Sequence, residues 1–239
     1  MRRFYVKDAE NAQQTGGSEA AHMLRVLRMN TGDEVVLFDG SGYDYPAIIT
    51  DVGKDHILYE IKDKVLSKSE PRVKVTLCQA VIKHDHFDYA VQKCTEIGIY
   101  AVKPFYSERC VKKPKSAEKF IERSNRIALE AAKQSGRSLV PLVSEIMEFA
   151  QLVDFARDKF TIFAYEGEKN TSLKNLLLNN SPDEIVLVVG PEGGFTTEEA
   201  RMLILAGAHS VSLGKLILRS ETAGLAATAM IMYEYGDKA

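Results

Sequence analysis

Two short runs near the C-terminus, residues 185–195 and 212–223, contain the residue types whose spacing suits a ligand site. The first run opens with five apolar, mostly β-branched residues, which predict a buried parallel strand that stops at Gly190. Thr196 and Glu199 then show the capping-box spacing of a helix N-terminus. A strand, a glycine-rich loop and a helix in this order favour a nucleotide-like ligand, because glycine lets the backbone close on the ligand.

The chemistry of these runs argues against a phosphate-binding P-loop. Six residues separate Gly207 from Gly214, and Leu216 follows the lysine where a P-loop has a hydroxyl. Glu192 in the glycine-rich loop would repel a pyrophosphate, but its charge suits a ligand that carries an amine or a cation. A sulfonium ligand such as S-adenosylmethionine therefore fits this chemistry better than a dinucleotide.

Both runs together resemble one known cofactor site. Residues 213–223 and the Gly-Pro-Glu-Gly-Gly loop at 190–194 resemble the site of the SPOUT methyltransferases, whose C-terminal segment is threaded through a loop as a trefoil knot. Within that superfamily the chain is similar to the RsmE family, which methylates N3 of a uridine in 16S ribosomal RNA, the RNA of the small ribosomal subunit. Residues 92–98 and 127–137 carry the resemblance over most of the chain.

The resemblance implies an S-adenosylmethionine-dependent methyltransferase that acts as a homodimer on 16S ribosomal RNA or on the small ribosomal subunit. It implies a PUA-like β-barrel domain over residues 1–70 and, over 71–239, a SPOUT-type α/β knotted domain with a mainly parallel sheet. The cofactor would be held by Ala164, Glu166, Gly190, Glu192, Gly193, Leu213, Gly214 and Leu218.

The residue patterns favour the same organisation. Short strand-like runs at 32–40, 45–52 and 56–61 precede a polar segment that ends in Pro71 and reads as a linker. Beyond Pro71, strand and helix patterns alternate, which predicts a mainly parallel sheet covered on both faces.

Arg219 is the candidate catalytic residue. Our hypothesis is that its charge faces the base and favours the deprotonated uracil by stabilising negative charge on a carbonyl oxygen. The competing interpretation is that Arg219 pairs with Glu221 or another carboxylate and only braces the loop. The pattern identifies no general base, although Glu192 and Glu221 are the obvious carboxylates.

A basic segment predicts an RNA-binding surface despite the net charge of -2. From Arg109 to Arg137 there are nine basic and three acidic residues. One face of a helix predicted over about 116–135, continued to Arg137, carries five basic residues among six, namely Lys119, Arg123, Arg126, Glu130, Lys133 and Arg137. An amphipathic surface helix is the competing interpretation. Together with residues that the resemblance suggests, the predicted RNA contacts are Arg2, Arg3, Arg25, Arg28, Gln92, Lys93, Arg109, Lys119, Arg123, Arg126, Lys133 and Arg137.

Composition limits the remaining classes. No apolar run is long enough for a membrane span and no signal-peptide core is evident, so we expect a cytoplasmic protein with no membrane partner. Three cysteines without a Cys-x-x-Cys pair favour reduced thiols, and no metal site is predicted. His84 and His86 would share one face of a strand, but no further ligand cluster accompanies them.

The C-terminal helix over 221–235 is apolar nearly all round, which indicates burial in a dimer interface or a threaded knot. The family pattern is not matched everywhere: Lys215-Leu216 replaces the usual proline-arginine, and Gly224 replaces an alanine. Two alternative functions stay open, a SPOUT enzyme with another target such as the ribose 2′-oxygen and a non-catalytic RNA-binding protein of ribosome assembly.

Overall fold

The computed structural model describes residues 2–236. The chain folds into two compact units, one containing the residues up to Glu70 with Ala132–Val140, the other Pro71–Ala131 and the residues from Pro141 onward. The sequence analysis placed Ala132–Val140 in the second domain, so its position in the first unit is a correction. The physical reason is Glu70, whose carboxylate accepts a hydrogen bond from the backbone N–H of Ser138 at 3.0 Å.

The first unit is built on a six-stranded sheet in the order β1, β3, β4, β5, β2, with β6 paired to β4. Its strands are β1 (Arg2–Tyr5), β2 (Gln14–Gly16), β3 (Glu34–Phe38), β4 (Tyr43–Val52), β5 (His56–Ile61) and β6 (Val65–Leu66). Strand β1 runs parallel to β3, and the other pairs are antiparallel. The three predicted strands are confirmed as β3, β4 and β5, whereas β1, β2 and β6 are too short to show a clear alternation.

A short helical segment completes the first unit. Helix α1 (Gly17–Ala21) continues directly into a π-helical turn at His22–Val26. Met23 on this turn is fully buried in a core that also contains Phe4 and Leu37. The helical segment ends before Arg28, whose backbone has a φ of 51°, in the left-handed region that ends a helix.

The second unit contains a six-stranded sheet in the order β12, β10, β11, β7, β8, β9. Its strands are β7 (Lys74–Ala80), β8 (Ala101–Phe105), β9 (Leu142–Val143), β10 (Thr161–Ala164), β11 (Glu184–Val189) and β12 (His209–Val211). Every pair in this sheet is parallel, which confirms the predicted parallel sheet. The two residues of β9 escaped prediction because so short a strand has no readable pattern.

Helices cover both faces of this sheet, as the alternating pattern predicted. They are α2 (His84–Ile97), α3 (Ala117–Ser135), α4 (Phe149–Ala156), α5 (Leu173–Leu178), α6 (Thr197–Leu205) and α7 (Ser220–Tyr235). Cys78 and Val188 pack on one face in a core with residues of α4 and α6. Leu77 and Val189 point to the opposite face, where Gly224 of α7 lies against them.

One side of α7 is not covered by any of residues 2–236. Thr222, Ala229, Met230 and Tyr233 are exposed, and the side chain of Tyr233 is 93% accessible. No helix among residues 2–236 has the length and apolar composition needed to cross a membrane. In the same range, no three His, Cys, Asp or Glu side chains are grouped to hold a metal ion.

Candidate active site

A cavity of about 1050 Å³ opens at the carboxyl ends of the parallel strands of the second unit. The loops after β10, β11 and β12 form most of its wall, and the first turns of α2 and α7 close it. Ligands of open parallel sheets bind at this end of the strands, because the loops there converge and helix N-termini point inward.

The glycine-rich loop after β11 is held from both ends. A Cβ atom at Gly190 would lie 3.0 Å from the ring of Phe195, so a side chain has no room there. Glu192 Oε1 accepts a hydrogen bond from the backbone N–H of Lys83 at 3.1 Å, and the carbonyl of Gly193 accepts one from Arg109 Nη1 at 3.1 Å. These contacts fix the backbone that faces the cavity.

The helix after this loop begins at the predicted capping box. Thr196 Oγ1 accepts a hydrogen bond from the N–H of Glu199, and the Glu199 carboxylate accepts one from the N–H of Thr196. Glu199 is 5% exposed and also binds the hydroxyl of Ser107 and the N–H of Glu108. One buried carboxylate therefore joins the start of α6 to the segment after β8.

The second run, between β12 and α7, closes the other side of the cavity. Gly214 has a φ of 134°, which favours glycine, and the hydroxyl of Ser212 accepts a hydrogen bond from its N–H. Ser220 Oγ donates to the carbonyl of Gly190 and accepts from Gln79 Nε2 at 2.8 Å. The start of α7 is thus tied directly to the loop after β11.

Comparison with known proteins identifies the family. The chain matches an RNA methyltransferase domain over residues 68–232 and an RNA methyltransferase PUA domain over residues 15–62. It is 33% identical over 226 residues to the ribosomal RNA small subunit methyltransferase E of Bacillus subtilis, covering 91% of this chain and 88% of that protein. The chain belongs to the ribosomal RNA small subunit methyltransferase E family.

Two further relatives support this assignment. The family member of a Synechocystis species is 35% identical over 213 residues, covering 88% of this chain and 69% of that protein. A crystal structure of the Neisseria gonorrhoeae enzyme, bound to S-adenosyl methionine, is 32% identical with a TM-score of 0.85 over 100% of both chains. The predicted fold class, an α/β SPOUT methyltransferase domain behind a PUA-like domain, is therefore confirmed.

Most of the cofactor residues implied by the resemblance to the family meet at the cavity. Its walls include Ala164, Glu166, Gly190, Glu192, Leu213, Gly214 and Leu218. Gly193 is not among the lining residues, and its carbonyl instead binds Arg109. The cofactor role of the full set stays a prediction.

Arg219, the candidate catalytic residue, is the N-cap residue of α7 and lines the cavity. It is exposed, and within residues 2–236 its side chain forms no ion pair or hydrogen bond. The competing interpretation was a pair with Glu221 or another carboxylate. The carboxylate of Glu221 lies beside His86 instead, with Oε1 at 3.4 Å from Nδ1. The charge of Arg219 is therefore available to a ligand.

The cavity also includes Lys83 and His86, which the sequence analysis did not assign to it. His84 and His86 were considered as a pair on one face of a strand, whereas α2 begins at His84 and turns the two side chains apart. His84 packs on Phe120, with ring centroids 5.5 Å apart. A usable signal was their position directly after β7, at the same sheet end as the glycine-rich loop.

The predicted RNA contacts of the second unit fall into two groups. Arg109, Lys93 and Arg123 are engaged with the Gly193 carbonyl, Glu96 and Asp88 respectively. Hydrogen bonding and charge attraction from Asp88 raise the pKa of Arg123. Gln92, Lys119 and Arg126 are exposed, and no side-chain partner is found for them among residues 2–236.

The predicted contacts of the first unit divide in the same way. Arg25 and Arg28 are exposed, and Arg2 donates to the carbonyl of Leu27 at 3.0 Å. Arg3 pairs with Asp44 at 2.6 Å, and Lys133 pairs with Glu19 at 3.0 Å.

Arg137 requires a correction. It is 4% exposed, and its guanidinium lies 2.7 Å from the carboxylate of Glu70. Since a buried, paired arginine cannot reach a phosphate on the surface, Arg137 is withdrawn from the predicted RNA contacts.

Proposed function

We propose that this protein transfers a methyl group from S-adenosylmethionine to N3 of a specific uridine in the 16S RNA of the small ribosomal subunit. The observation that carries the proposal is Arg219, an exposed arginine with no side-chain partner within residues 2–236, at the wall of a glycine-lined cavity. Relatives named small subunit methyltransferase E, and a relative bound to S-adenosyl methionine, supply the chemistry that this cavity would serve.

The cavity has the chemistry that the cofactor requires. The lack of a side chain at Gly190 lets the loop pack on the ring of Phe195 while its backbone lines the cavity wall. Carboxylates at Glu166 and Glu192 line the wall and suit a ligand with a sulfonium and an ammonium group. Backbone groups around Leu213 and Leu218 would hold the methionine end, and the bound cofactor would supply an electrophilic methyl group.

Arg219 would stabilise the uracil as its N3 proton leaves. Removal of that proton puts negative charge on the carbonyl oxygens, and a guanidinium fixed at the cavity wall attracts that charge without reorganising. Its place as N-cap of α7 fixes its backbone, because Ser220 next to it is hydrogen-bonded to Gly190 and Gln79. Orientation of the two reacting groups would provide much of the remaining acceleration.

RNA binding would use the basic side chains that have no carboxylate partner. Lys119 and Arg126 of α3 are one such pair in the second unit, and Arg25 and Arg28 are another in the first unit. Unpaired surface cations attract phosphates and release counterions on binding, so affinity should fall steeply with salt. The proposed RNA substrate also places the reaction in the cytoplasm.

The uncovered side of α7 supports a homodimer. Thr222, Ala229, Met230 and Tyr233 follow one another at helical spacing, carry no charge and are exposed. Two of these residues, Thr222 and Ala229, are small, which lets a second helix approach closely. We propose that a second copy of this chain packs on this side of α7. Sedimentation velocity of a Met230→Glu, Tyr233→Glu double variant should show a monomer where the unmodified protein shows a dimer.

The test of the proposed function joins calorimetry to mass spectrometry. S-adenosylmethionine is titrated into the unmodified protein and a Gly190→Val variant, and nucleosides of treated small-subunit RNA are then analysed. We expect binding and 3-methyluridine with the unmodified protein, and loss of both in the variant. Gly16→Ala is the matched control, because an added Cβ there lies 3.8 Å from its nearest neighbour.

Other outcomes would select an alternative. A 2′-O-methylated nucleoside in place of 3-methyluridine would overturn the assignment of N3 and keep the cofactor. Failure to bind S-adenosylmethionine, with or without RNA present, would favour a non-catalytic RNA-binding protein.

A further inference from the structure

The first turn of α2 brings a histidine against a carboxylate at the wall of the cavity. His86 Nδ1 lies 3.4 Å from Glu221 Oε1, and both residues line the cavity. The Glu221 side chain is 11% exposed, and that of His86 is 32% exposed. An imidazole beside a more deeply buried carboxylate, with part of its ring open to a ligand cavity, is the arrangement of a general base and its orienting group.

We propose that His86 is the general base that accepts the N3 proton of the uridine, and that Glu221 is the residue that positions it. The inference rests on the proposed function, since it names the proton acceptor of that same reaction. It supplies a role that Arg219 cannot fill, because a guanidinium holds its own protons.

Two buried polar atoms at this place could each form a further hydrogen bond. His86 Nδ1 and Glu221 Oε2 are both buried, and neither has a partner in good hydrogen-bond geometry among residues 2–236. The second oxygen of the carboxylate, Oε1, is the one beside the imidazole. A small shortening of the 3.4 Å separation when a ligand fills the cavity would complete the Nδ1–H to carboxylate hydrogen bond.

The start of α7 places the carboxylate of Glu221. It lies in the first turn of α7, where the unsatisfied N–H groups and the helix dipole attract negative charge. An ionised carboxylate at Nδ1 keeps a proton on that nitrogen, which leaves Nε2 as the basic atom of the ring. Nδ1 is buried, so the exposed part of the His86 side chain, which lines the cavity, consists of its other atoms.

The other charged groups around His86 do not replace this carboxylate. Lys83 precedes its helix, Glu192 faces the cavity from the loop after β11, and Arg219 precedes Glu221 on α7. One oxygen of Glu192, Oε1, accepts a hydrogen bond from the backbone N–H of Lys83. On α3, Arg123 is held by Asp88.

The proposed step balances as a proton transfer coupled to methyl transfer. The N3–H bond breaks, and its proton goes to Nε2 of His86, which becomes an imidazolium beside the Glu221 carboxylate. The electron pair on N3 forms the new bond to the methyl carbon. The electrons of the methyl–sulfur bond remain on sulfur, which leaves as a neutral thioether, and the imidazolium later releases its proton to water.

The pH dependence of single-turnover methylation at saturating S-adenosylmethionine tests this inference. With the unmodified protein the rate should rise with pH while the imidazole loses its proton and then level off. His86→Gln should lower the rate at neutral pH by about 100-fold and remove the levelling, because no side chain then accepts the proton. Its affinity for S-adenosylmethionine, measured by calorimetry, should stay within about twofold.

Three variants separate a base from a structural contact. The lysine of His86→Lys can also be a cation but has a higher proton affinity than histidine. The pH at which the methylation rate levels off should therefore be higher. Glu221→Gln should lower that pH, because the carboxylate no longer favours the imidazolium. His84→Gln is the matched control, since His84 packs on Phe120 outside the cavity, and it should leave the profile unchanged.

The outcomes distinguish this inference from the proposed function. If the unmodified protein methylates N3 and His86→Gln keeps both its rate and its pH profile, His86 is not the base and the proposed function stands. If the unmodified protein binds S-adenosylmethionine but methylates no RNA under any condition, the proposed function is overturned, and the inference with it.

Discussion

Two arginines in the two units show how differently the same charge is used. Arg137, in the segment that follows α3, is 4% exposed and lies 2.7 Å from the Glu70 carboxylate. Arg219, between β12 and α7, is exposed at the wall of the cavity, and no carboxylate pairs with it within residues 2–236. Both were candidate functional residues in the sequence, and only the surroundings separate them.

This difference shows that the groups around a charged side chain indicate its role better than the charge alone does. A buried guanidinium is stable only when it is paired, so Arg137 is committed to holding its own unit together. Arg219 is exposed and forms no ion pair within residues 2–236, so its charge contributes little to stability. Its charge is therefore free to act on a ligand that enters the cavity.

The largest effect should come from breaking the buried pair. We expect Arg137→Ala to lower the free energy of unfolding by about 3 to 5 kcal/mol, because the Glu70 charge would remain buried without a cation. Chemical denaturation would measure the loss. Arg157→Ala removes an exposed pair with Asp154 and should cost less than about 1 kcal/mol. Equal losses in the two variants would break the comparison.

The second prediction is a loss of catalytic rate with no change in stability. We expect Arg219→Ala to reduce the single-turnover rate of methylation by about 100- to 1,000-fold, the usual cost of a lost group that stabilises an oxyanion. The affinity for S-adenosylmethionine and the unfolding free energy should stay nearly constant. Full turnover with unchanged cofactor affinity would show that Arg219 has no catalytic role.

Local patterns explain why most of the fold could be predicted. The strand β11, the capping box at Thr196 and Glu199 and the start of α7 each depend on residues within a few positions of one another. The assignment of Ala132–Val140 could not be predicted in this way. It depends on Glu70, which is 67 residues from Arg137 in the chain, so no periodicity or turn signal reports the contact.

In the candidate site, too, local features could be predicted from the sequence and long-range contacts could not. Glycines and their neighbours mark the cavity in the sequence, because close backbone approach demands glycine at fixed positions. The pairing of His86 with Glu221 joins the starts of two helices that lie far apart in the chain, so sequence reasoning left the general base open. The charge pattern likewise predicted a basic face on α3, but not which of its side chains form ion pairs with carboxylates.

The third prediction concerns two basic side chains on the surface of α3. We expect Lys119→Ser with Arg126→Ser to reduce the slope of RNA affinity against salt, on logarithmic axes, by about 1.4 to 1.8, since two phosphate contacts are lost. Fluorescence anisotropy at several salt concentrations would measure the slope. Arg201→Ser is the control, because Arg201 is exposed but paired with Glu198. An unchanged slope in the double variant would exclude these two side chains from RNA binding.

The smallest effect is a pH dependence of stability in the first unit. Burial alone would raise the pKa of Asp44, but hydrogen bonds from Arg3 and Ser138 outweigh it and hold the pKa below its ordinary value of 3.8. A carboxyl with a lowered folded-state pKa stabilises the fold above its unfolded pKa and loses that contribution as pH falls through the folded pKa.

The variant Asp44→Asn should therefore be less stable than the unmodified protein near neutral pH, with a difference that narrows as the pH falls below 3.8. Thermal unfolding between pH 7 and pH 2.5 would follow the difference. A constant difference would mean that Asp44 acts by shape and not by charge. The contrast between paired and unpaired charges would then hold for Arg137 but not for Arg3, whose only carboxylate contact within residues 2–236 is Asp44.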